Sequence, residues 1–146
     1  MALLLSLERR AELLTLAMAE RPREAVALLG GLEDGRDGAG LRIVTHLVRV
    51  DNRAGGEDAF AIDPREWRDV ERELRRQGRR IVGLFHSHPR GPQRLSEADE
   101  RAAGVLQGPD GDFSWVLAGP DPSTGSSCIL SFVRRAGIMV PEELIP

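Results

Sequence analysis

Residues 80–106 constrain the fold more than any other part of the sequence, because a strand, a break and a helix start follow one another closely. An apolar strand pattern occupies residues 80–86. Pro89 then interrupts the strand. Ser96 is a favourable N-cap, and the pattern after it predicts a helix to about residue 106. The segment therefore predicts a strand, a loop that turns the chain back, and a helix whose first turn faces the end of the strand.

The chemically distinctive residues of this segment stand at those two ends. His86 and His88 are one residue apart, and seven residues separate His88 from Ser96, which is followed by Asp99. Side chains two apart in a strand lie on the same face, so both imidazoles point the same way. Two imidazoles and a carboxylate form a three-ligand set for a catalytic zinc ion with one open position. The pattern predicts a metallohydrolase with His86, His88 and Asp99 as ligands.

A purely structural interpretation of the same residues has to be weighed. Ser-x-x-Asp at a helix start is also the pattern of a capping box, in which Ser96 caps the helix and Asp99 reaches back to the backbone. The two histidines could be solvated at a strand end. The order and spacing of all four residues favour the metal site, and Ser96 is able to serve both purposes. His46, the third histidine, has no partner pattern, and we expect a half-exposed strand residue there.

The rest of the chain mixes helix and strand patterns around what we expect to be one domain over residues 1–146. The fold class is therefore α/β or α+β. We expect Asp63 to cap a helix and Glu66 to close its capping box. The other predicted elements are a helix over 5–20 capped by Ser6, strands over 24–31, 41–50, 60–62, 113–118 and 129–133, and turns over 33–40 and 108–111, while the tail over 140–146 shows no clear pattern.

Composition narrows the classes of function. The net charge is -3, which argues against sequence-independent binding of nucleic acid. No stretch is long and apolar enough to cross a membrane. Cys128 is the single cysteine, so no internal disulfide is possible. We therefore expect a cytoplasmic protein in which Cys128 is a small buried hydrophobe of a strand.

The His-Ser-His-Pro block with its correctly spaced Ser96 and Asp99 resembles the JAMM (MPN+) family of zinc metalloproteases. The family has a glutamate upstream, at the start of a buried strand, and Glu24 in the segment 22–31 matches it. The resemblance implies a curved, mixed β-sheet flanked by helices. It also implies one Zn²⁺ held by His86, His88 and Asp99, with Glu24 as the general base and Ser96 as a donor to the developing oxyanion. Leu95 departs from the family, which often has proline before the serine.

Small prokaryotic members of this family resemble enzymes that hydrolyse an amide bond after the C-terminal Gly-Gly of a ubiquitin-like or sulfur-carrier protein. The resemblance implies such a substrate here, with the protein acting as a monomer or homodimer. The loop over 52–58 and Phe60 are candidates for the wall of a channel for the tail. Two alternatives stay open: a non-catalytic MPN scaffold, and a zinc hydrolase of a small-molecule amide. A zinc deaminase is disfavoured, because those enzymes use paired cysteine ligands.

Overall fold

The structure is a computed structural model that describes residues 2–34, 40–107 and 113–146. Within these ranges the chain forms one mixed α/β unit with three helices and seven strands. The helices are α1 (Leu7–Glu20), α2 (Pro64–Arg76) and α3 (Glu97–Gln107); the strands are β1 (Ala2–Leu4), β2 (Val26–Asp34), β3 (Leu41–Arg49), β4 (Arg80–Ser87), β5 (Ser114–Pro120), β6 (Ser127–Arg135) and β7 (Ile138–Ile145).

The sheet closes into a barrel, in the order β1-β3-β2-β4-β5-β6-β7. This corrects the expected curved sheet flanked by helices, although the sheet is mixed as expected. The closing element is β1, which pairs in parallel with β3 on one side and with β7 on the other. Leu3 is the central residue of that short strand and lies opposite Arg42 and Leu144. Closure removes the unpaired edges that an open sheet would leave.

The sequence did not reveal β7, because residues 140–146 show no clear pattern. Glu142 is instead buried, and its carboxylate pairs with the guanidinium of Arg42, which is fully buried on β3. The hydroxyls of Ser114 and Ser131 donate to Glu142 Oε1 at 2.6 and 2.8 Å. Such additional hydrogen bonds help a buried ion pair to be tolerated, and here they serve the carboxylate, while Arg42 Nε and Nη1 are buried without a hydrogen-bond partner among the described residues. The apparent tail is therefore a structural strand.

Two apolar clusters flank the strand that leads to the histidines. Phe85 belongs to the cluster on which the apolar face of α1 packs, whereas Leu84 belongs to the cluster that includes Leu74 of α2 and Ala103 of α3. Each large apolar side chain that is fully buried contributes roughly 1.5–3 kcal/mol. Burial on both faces therefore fixes the position of β4 and of the residues at its end.

The helix starts were largely predictable. Ser6 caps α1 by accepting from the N–H of Arg9 at 3.3 Å, and Asp63 caps α2 by accepting from the N–H of Arg65 at 2.8 Å. The predicted capping box is wrong in one part, because Glu66 Oε1 accepts from the N–H of Asp51 instead, at 3.0 Å. Glu66 therefore ties α2 to the segment after β3.

Further predictions of single segments need comment. Residues 60–62 form an irregular segment instead of a strand, and β2 begins at Val26, so that Glu24 lies just before the strand. The predicted turn over 108–111 and most of the predicted turn over 33–40 lie outside the described residues. Cys128 lies in β6 and is half-buried. Among the described residues, no helix combines the length and the apolar character that a membrane span requires.

Candidate metal centre

Strand β4 delivers both histidines to one place. His86 is the next-to-last residue of β4, held by pairing with Val26 of β2 and Leu117 of β5. His88 follows the strand, and its backbone N–H donates to the carbonyl of Ala118 at 2.8 Å. Their ring centroids are 5.0 Å apart, as the shared face of a strand predicts. His86 is fully buried and His88 is 9% exposed, so both imidazoles are shielded from bulk water.

Asp99 reaches the two imidazoles from the first turn of α3. Its Oδ2 lies 3.3 Å from His86 Nε2 and 3.2 Å from His88 Nε2. The side chain of Asp99 is almost completely buried. Two consecutive elements that pack in the same apolar cluster, β4 and α3, thus place three candidate ligand groups around one point.

Glu24 completes the cluster from the residues just before β2, the strand that pairs with β4. Its Oε1 lies 3.9 Å from His88 Nε2, and the residue is 4% exposed. Glu24, His86 and His88 each offer one ligand atom, and these three atoms lie within 4.8 Å of one another. The four residues that the sequence singled out, Glu24, His86, His88 and Asp99, therefore meet in one buried cluster.

Hydrogen bonding prepares His88 to bind a cation. Its Nδ1 lies 2.9 Å from the carbonyl oxygen of Pro92. Because a carbonyl only accepts, Nδ1 carries the proton in the neutral ring. Nε2 then keeps its lone pair and points it at Asp99 and Glu24. Such a bond from the distal ring nitrogen to a carbonyl is how proteins orient metal-binding histidines.

The cluster contains buried polar atoms that the protein itself does not satisfy. Among the described residues, His86 Nδ1, His86 Nε2 and Glu24 Oε1 are buried without a hydrogen-bond partner. His86 Nε2 lies 3.3 Å from Asp99 Oδ2, the one charged group that it contacts in the described part of the chain. Buried polar groups are normally paired, and two carboxylates with two imidazoles are hard-to-borderline donors that suit Zn²⁺. The residues present therefore fit a zinc ion.

The pKa values follow from burial and from mutual contact. Burial raises the pKa of Glu24 to about 7, even though His88 lowers it. Burial also lowers the pKa of His86. For His88 burial is the largest effect and acts in the same direction, but the hydrogen bonds to Asp99 and Pro92, together with the charges of Asp99 and Glu24, outweigh it and the pKa is raised. Burial acts to raise the pKa of Asp99, yet the contacts with the two histidines hold that pKa well below its usual range.

A profile of prokaryotic homologs of the JAB domain matches residues 7–129, which include all four residues of the cluster. The chain belongs to the prokaryotic JAB-domain family. The resemblance to JAMM/MPN proteins is thereby confirmed, and the family includes zinc peptidases. No curated protein matches this JAB domain.

Solved structures share its fold. The solution structure of protein DSY2949 from Desulfitobacterium hafniense is 29% identical, with a TM-score of 0.80 over 99% of this chain and 92% of that one. A protein from Salinibacter ruber is 22% identical, with a TM-score of 0.65 over 99% of this chain and 90% of that one. Nearly the full length of each structure is covered, so the shared fold extends over almost the whole of both chains.

Ser96 and Asp99 do form the capping box that was the structural alternative. Ser96 Oγ accepts from the N–H of Asp99 at 3.1 Å, and Asp99 Oδ2 accepts from the N–H of Ser96 at 2.8 Å. The same Asp99 oxygen contacts both histidines. The two interpretations are therefore compatible in this JAB domain, since capping fixes the Asp99 carboxylate beside the imidazoles.

Two features around the cluster were not predicted as such. Phe60 covers His86, with ring centroids 4.8 Å apart, although the sequence had suggested a strand or a channel wall there. Asn52 binds the backbone of Glu24 and of the Phe60 segment. Neither residue is a metal ligand or a base, so no chemical motif marks it. His46 lies on β3, half-buried as expected, with its Nδ1 2.8 Å from Thr45 Oγ1.

Proposed function

We propose that this JAB domain is a zinc-dependent peptidase or isopeptidase that hydrolyses the amide bond after the C-terminal Gly-Gly of a ubiquitin-like or sulfur-carrier protein. One observation supports the chemistry above all others. Glu24, His86, His88 and Asp99 converge in a single buried cluster that leaves ligand atoms without partners. The family provides the reaction class, because it includes zinc peptidases.

We assign His86, His88 and Asp99 as the ligands of one zinc ion per chain. The assignment rests on distance, since Asp99 Oδ2 is within 3.3 Å of His86 Nε2 while Glu24 Oε1 is 3.9 Å from His88 Nε2. When bound, zinc lowers the pKa of a coordinated water and polarises a carbonyl group. Glu24 is then left free for proton transfer.

Glu24 acts as the general base and then as the general acid. A carboxyl group whose pKa is raised by burial to about 7 is able both to accept a proton from water and to return it near neutral pH. In the proposed reaction Glu24 takes the proton from the attacking water and delivers it to the leaving amine. The amide is cleaved into an acid and an amine, and no further reactant is required.

Ser96 supplies a hydrogen bond to the developing oxyanion. Its Oγ accepts from the helix N–H of Asp99, which leaves the hydroxyl hydrogen available to a substrate. Ser96 is also exposed, whereas the ligands are buried. One such donor is worth about 2.7–4 kcal/mol in comparable sites.

The substrate part of the proposal rests on shape and on family resemblance. Glycine lets two backbones approach closely, so a Gly-Gly tail suits a site whose reacting groups are almost completely buried. The loop over 52–58 and Phe60 flank that site and are proposed as one wall of the path for the tail. We propose a cytoplasmic enzyme, in keeping with the single free thiol of Cys128, that acts as a monomer or homodimer without nucleic acid or a membrane.

Mass spectrometry of a carrier protein tests this proposal. A sulfur-carrier protein ending in Gly-Gly is extended by one residue or a short peptide and incubated with the zinc-loaded enzyme; the matched control substrate ends in Ala-Ala before the same extension. We expect a single product that ends at Gly-Gly, no product from the control substrate, and no product with His88→Ala. Failure to cut after Gly-Gly with zinc bound would contradict the substrate class and favour a small-molecule amide. Failure to bind zinc would favour the non-catalytic scaffold.

A further inference from the structure

Asn52, the single asparagine of the chain, uses its whole side-chain amide within the protein. It follows β3 closely, in the segment before α2. Its Nδ2 donates to the carbonyls of Glu24 and Ala59, both at 3.0 Å. Its Oδ1 accepts from the N–H groups of Ala54 at 3.0 Å and Ala61 at 3.1 Å. Two donors and two acceptor positions are thereby filled, which is the capacity of an amide group.

These four bonds join two segments beside the metal centre that are far apart in the sequence. One piece is the backbone of Glu24, at the entrance to β2. The other is the segment on either side of Phe60, whose ring lies 4.8 Å from that of His86. The N–H of Arg53 also donates to the carbonyl of Ala61 at 2.8 Å, which closes the loop behind Asn52. Asn52 therefore sets the distance between the backbone of Glu24 and the segment that places Phe60 over His86.

Arg23 reinforces the same arrangement from the residue before Glu24. Its Nη2 donates to the carbonyl of Asn52 at 2.8 Å and to that of Ala54 at 2.6 Å. The Asn52 backbone is thus held by Arg23 while its side chain holds Glu24. No hydrogen bond in the described part of the chain joins the Asn52 side chain to His86, His88 or Asp99, so its influence on the centre runs through Glu24 and Phe60.

We propose that Asn52 is a positioning residue, which holds the Glu24 backbone and the Phe60 segment at a fixed separation and so aims the Glu24 carboxylate at the metal centre. The proposal rests on the function proposed above for Glu24. It assigns to Asn52 an effect on turnover without an effect on zinc binding. A misplacement of about 1 Å in a catalytic group is enough to cost about 100-fold in rate.

Two variants distinguish the hydrogen bonds that the Asn52 amide donates from those that it accepts. Asn52→Ala removes all four bonds, whereas Asn52→Asp keeps an acceptor for Ala54 and Ala61 and loses the donors to Glu24 and Ala59. Because Asn52→Ala adds no charge, a loss shared by both variants is due to the missing donors and not to a new carboxylate. Asp121→Ala is the matched control, since Asp121 also organises an exposed loop through bonds from Ser123 and Thr124.

We expect kcat to fall about 10–100-fold in both Asn52 variants, with zinc affinity unchanged and with Asp121→Ala like the wild type. A pure loss of folding would instead lower kcat and zinc content together. Wild-type kcat in Asn52→Asp, or a loss of zinc in step with activity, would overturn the proposal.

An NMR measurement without substrate keeps this inference separate from the proposed function. The protein has three histidines, so the spectrum contains few histidine ring signals and those of His86 are assignable. In Asn52→Ala they should move toward their positions in Phe60→Leu, which removes the covering ring, while the signals of His46 stay in place. Unchanged His86 signals would overturn the positioning role, whether or not a Gly-Gly substrate is cleaved. A wild-type enzyme that cleaves no such substrate would overturn only the proposed function.

Discussion

At the scale of single residues, Asp99 shows how a structural motif and a chemical one occupy the same atoms. Its Oδ2 accepts from the N–H of Ser96 and contacts the Nε2 atoms of both histidines. A capping bond alone would be worth about 1 kcal/mol. The histidine contacts hold the pKa of Asp99 far below its usual range, so the carboxylate stays charged at pH values where an ordinary aspartate would be protonated. The bond to the helix N-terminus therefore fixes the position of the Asp99 carboxylate, which is able to bind a cation.

Asp99→Asn separates the two roles of Asp99, because the asparagine side-chain oxygen still accepts from the N–H of Ser96 but is a poor zinc ligand. We expect helix content and folding to be retained while zinc affinity falls at least about 100-fold, which exceeds the loss typical of removing a supporting residue. Titration against a chromophoric chelator measures this. The control is Glu97→Gln, an exposed carboxylate in the same helical turn, which should leave zinc affinity unchanged. Equal affinities in Asp99→Asn and wild type would remove Asp99 from the ligand set.

The pKa of His88 predicts how zinc binding depends on pH. That pKa is raised, chiefly through Asp99 acting against burial, so in the metal-free protein His88 holds a proton up to a higher pH than an ordinary histidine. Zinc must displace this proton, since only the neutral imidazole binds a metal. We expect the apparent Kd for zinc to be constant at alkaline pH and to rise as the pH falls through the neutral range. A zinc Kd that is flat from pH 8 to pH 5.5 would contradict the role of His88.

At the scale of elements, local patterns were the most predictable. The strand β4 and the caps of α1 and α2 followed from the sequence, because each depends on residues close together along the chain. Glu66 was misassigned because its partner, the N–H of Asp51, lies 15 positions away. The contacts of Asn52 with Glu24 and of Phe60 with His86 could not be predicted either, since they exist only once β2, β3 and β4 lie side by side.

The pairing of β2 with β3 depends on a close approach at Gly31, next to an irregularity in the register. A Cβ atom placed on Gly31 would lie 1.9 Å from the carbonyl oxygen of Ile43, which is backbone and cannot rotate away. We expect Gly31→Ala to lower the free energy of unfolding by about 3 kcal/mol, the upper part of the range for overpacking. Urea denaturation measures the loss.

Gly55→Ala is the control for that substitution. In the described part of the chain nothing lies within 4 Å of a Cβ at Gly55, and its φ is not in the left-handed region. The substitution should therefore change stability by less than about 0.5 kcal/mol. Similar values for Gly31→Ala and Gly55→Ala would show that β2 and β3 are not pinned at Gly31.

At the scale of the whole molecule, closure of the barrel is what the sequence could not reveal. It depends on β1 and β7, whose residues lie near opposite ends of the chain, and on the buried carboxylate of Glu142, which no sequence pattern marked. Charged residues are rarely buried unless they are paired, and only the fold brings Arg42 to Glu142. The convergence of His86, His88 and Asp99 was predictable because these residues have a fixed spacing, whereas no spacing rule links Arg42 to Glu142.

Glu142→Ala tests how far the barrel relies on this ion pair. The change leaves Arg42 charged, fully buried and without its carboxylate partner, and it removes the acceptor of Ser114 and Ser131. We expect the free energy of unfolding to fall by about 3–5 kcal/mol. Glu143→Gln, at the neighbouring exposed position, should change it by less than about 0.5 kcal/mol. A loss below about 1 kcal/mol in Glu142→Ala would show that the pair does not support closure.

The central claim is that a zinc ion bound by His86, His88 and Asp99 is served by Glu24 as a separate base. The kcat of zinc-saturated Glu24→Gln, measured on a carrier protein extended beyond Gly-Gly, tests this claim most directly. We predict one zinc ion per chain, affinity close to that of the wild type, and a kcat reduced about 10²–10⁴-fold, the usual contribution of a general base. A wild-type kcat would contradict the role of Glu24 in proton transfer. Loss of zinc from the same variant would show instead that Glu24 is itself a ligand.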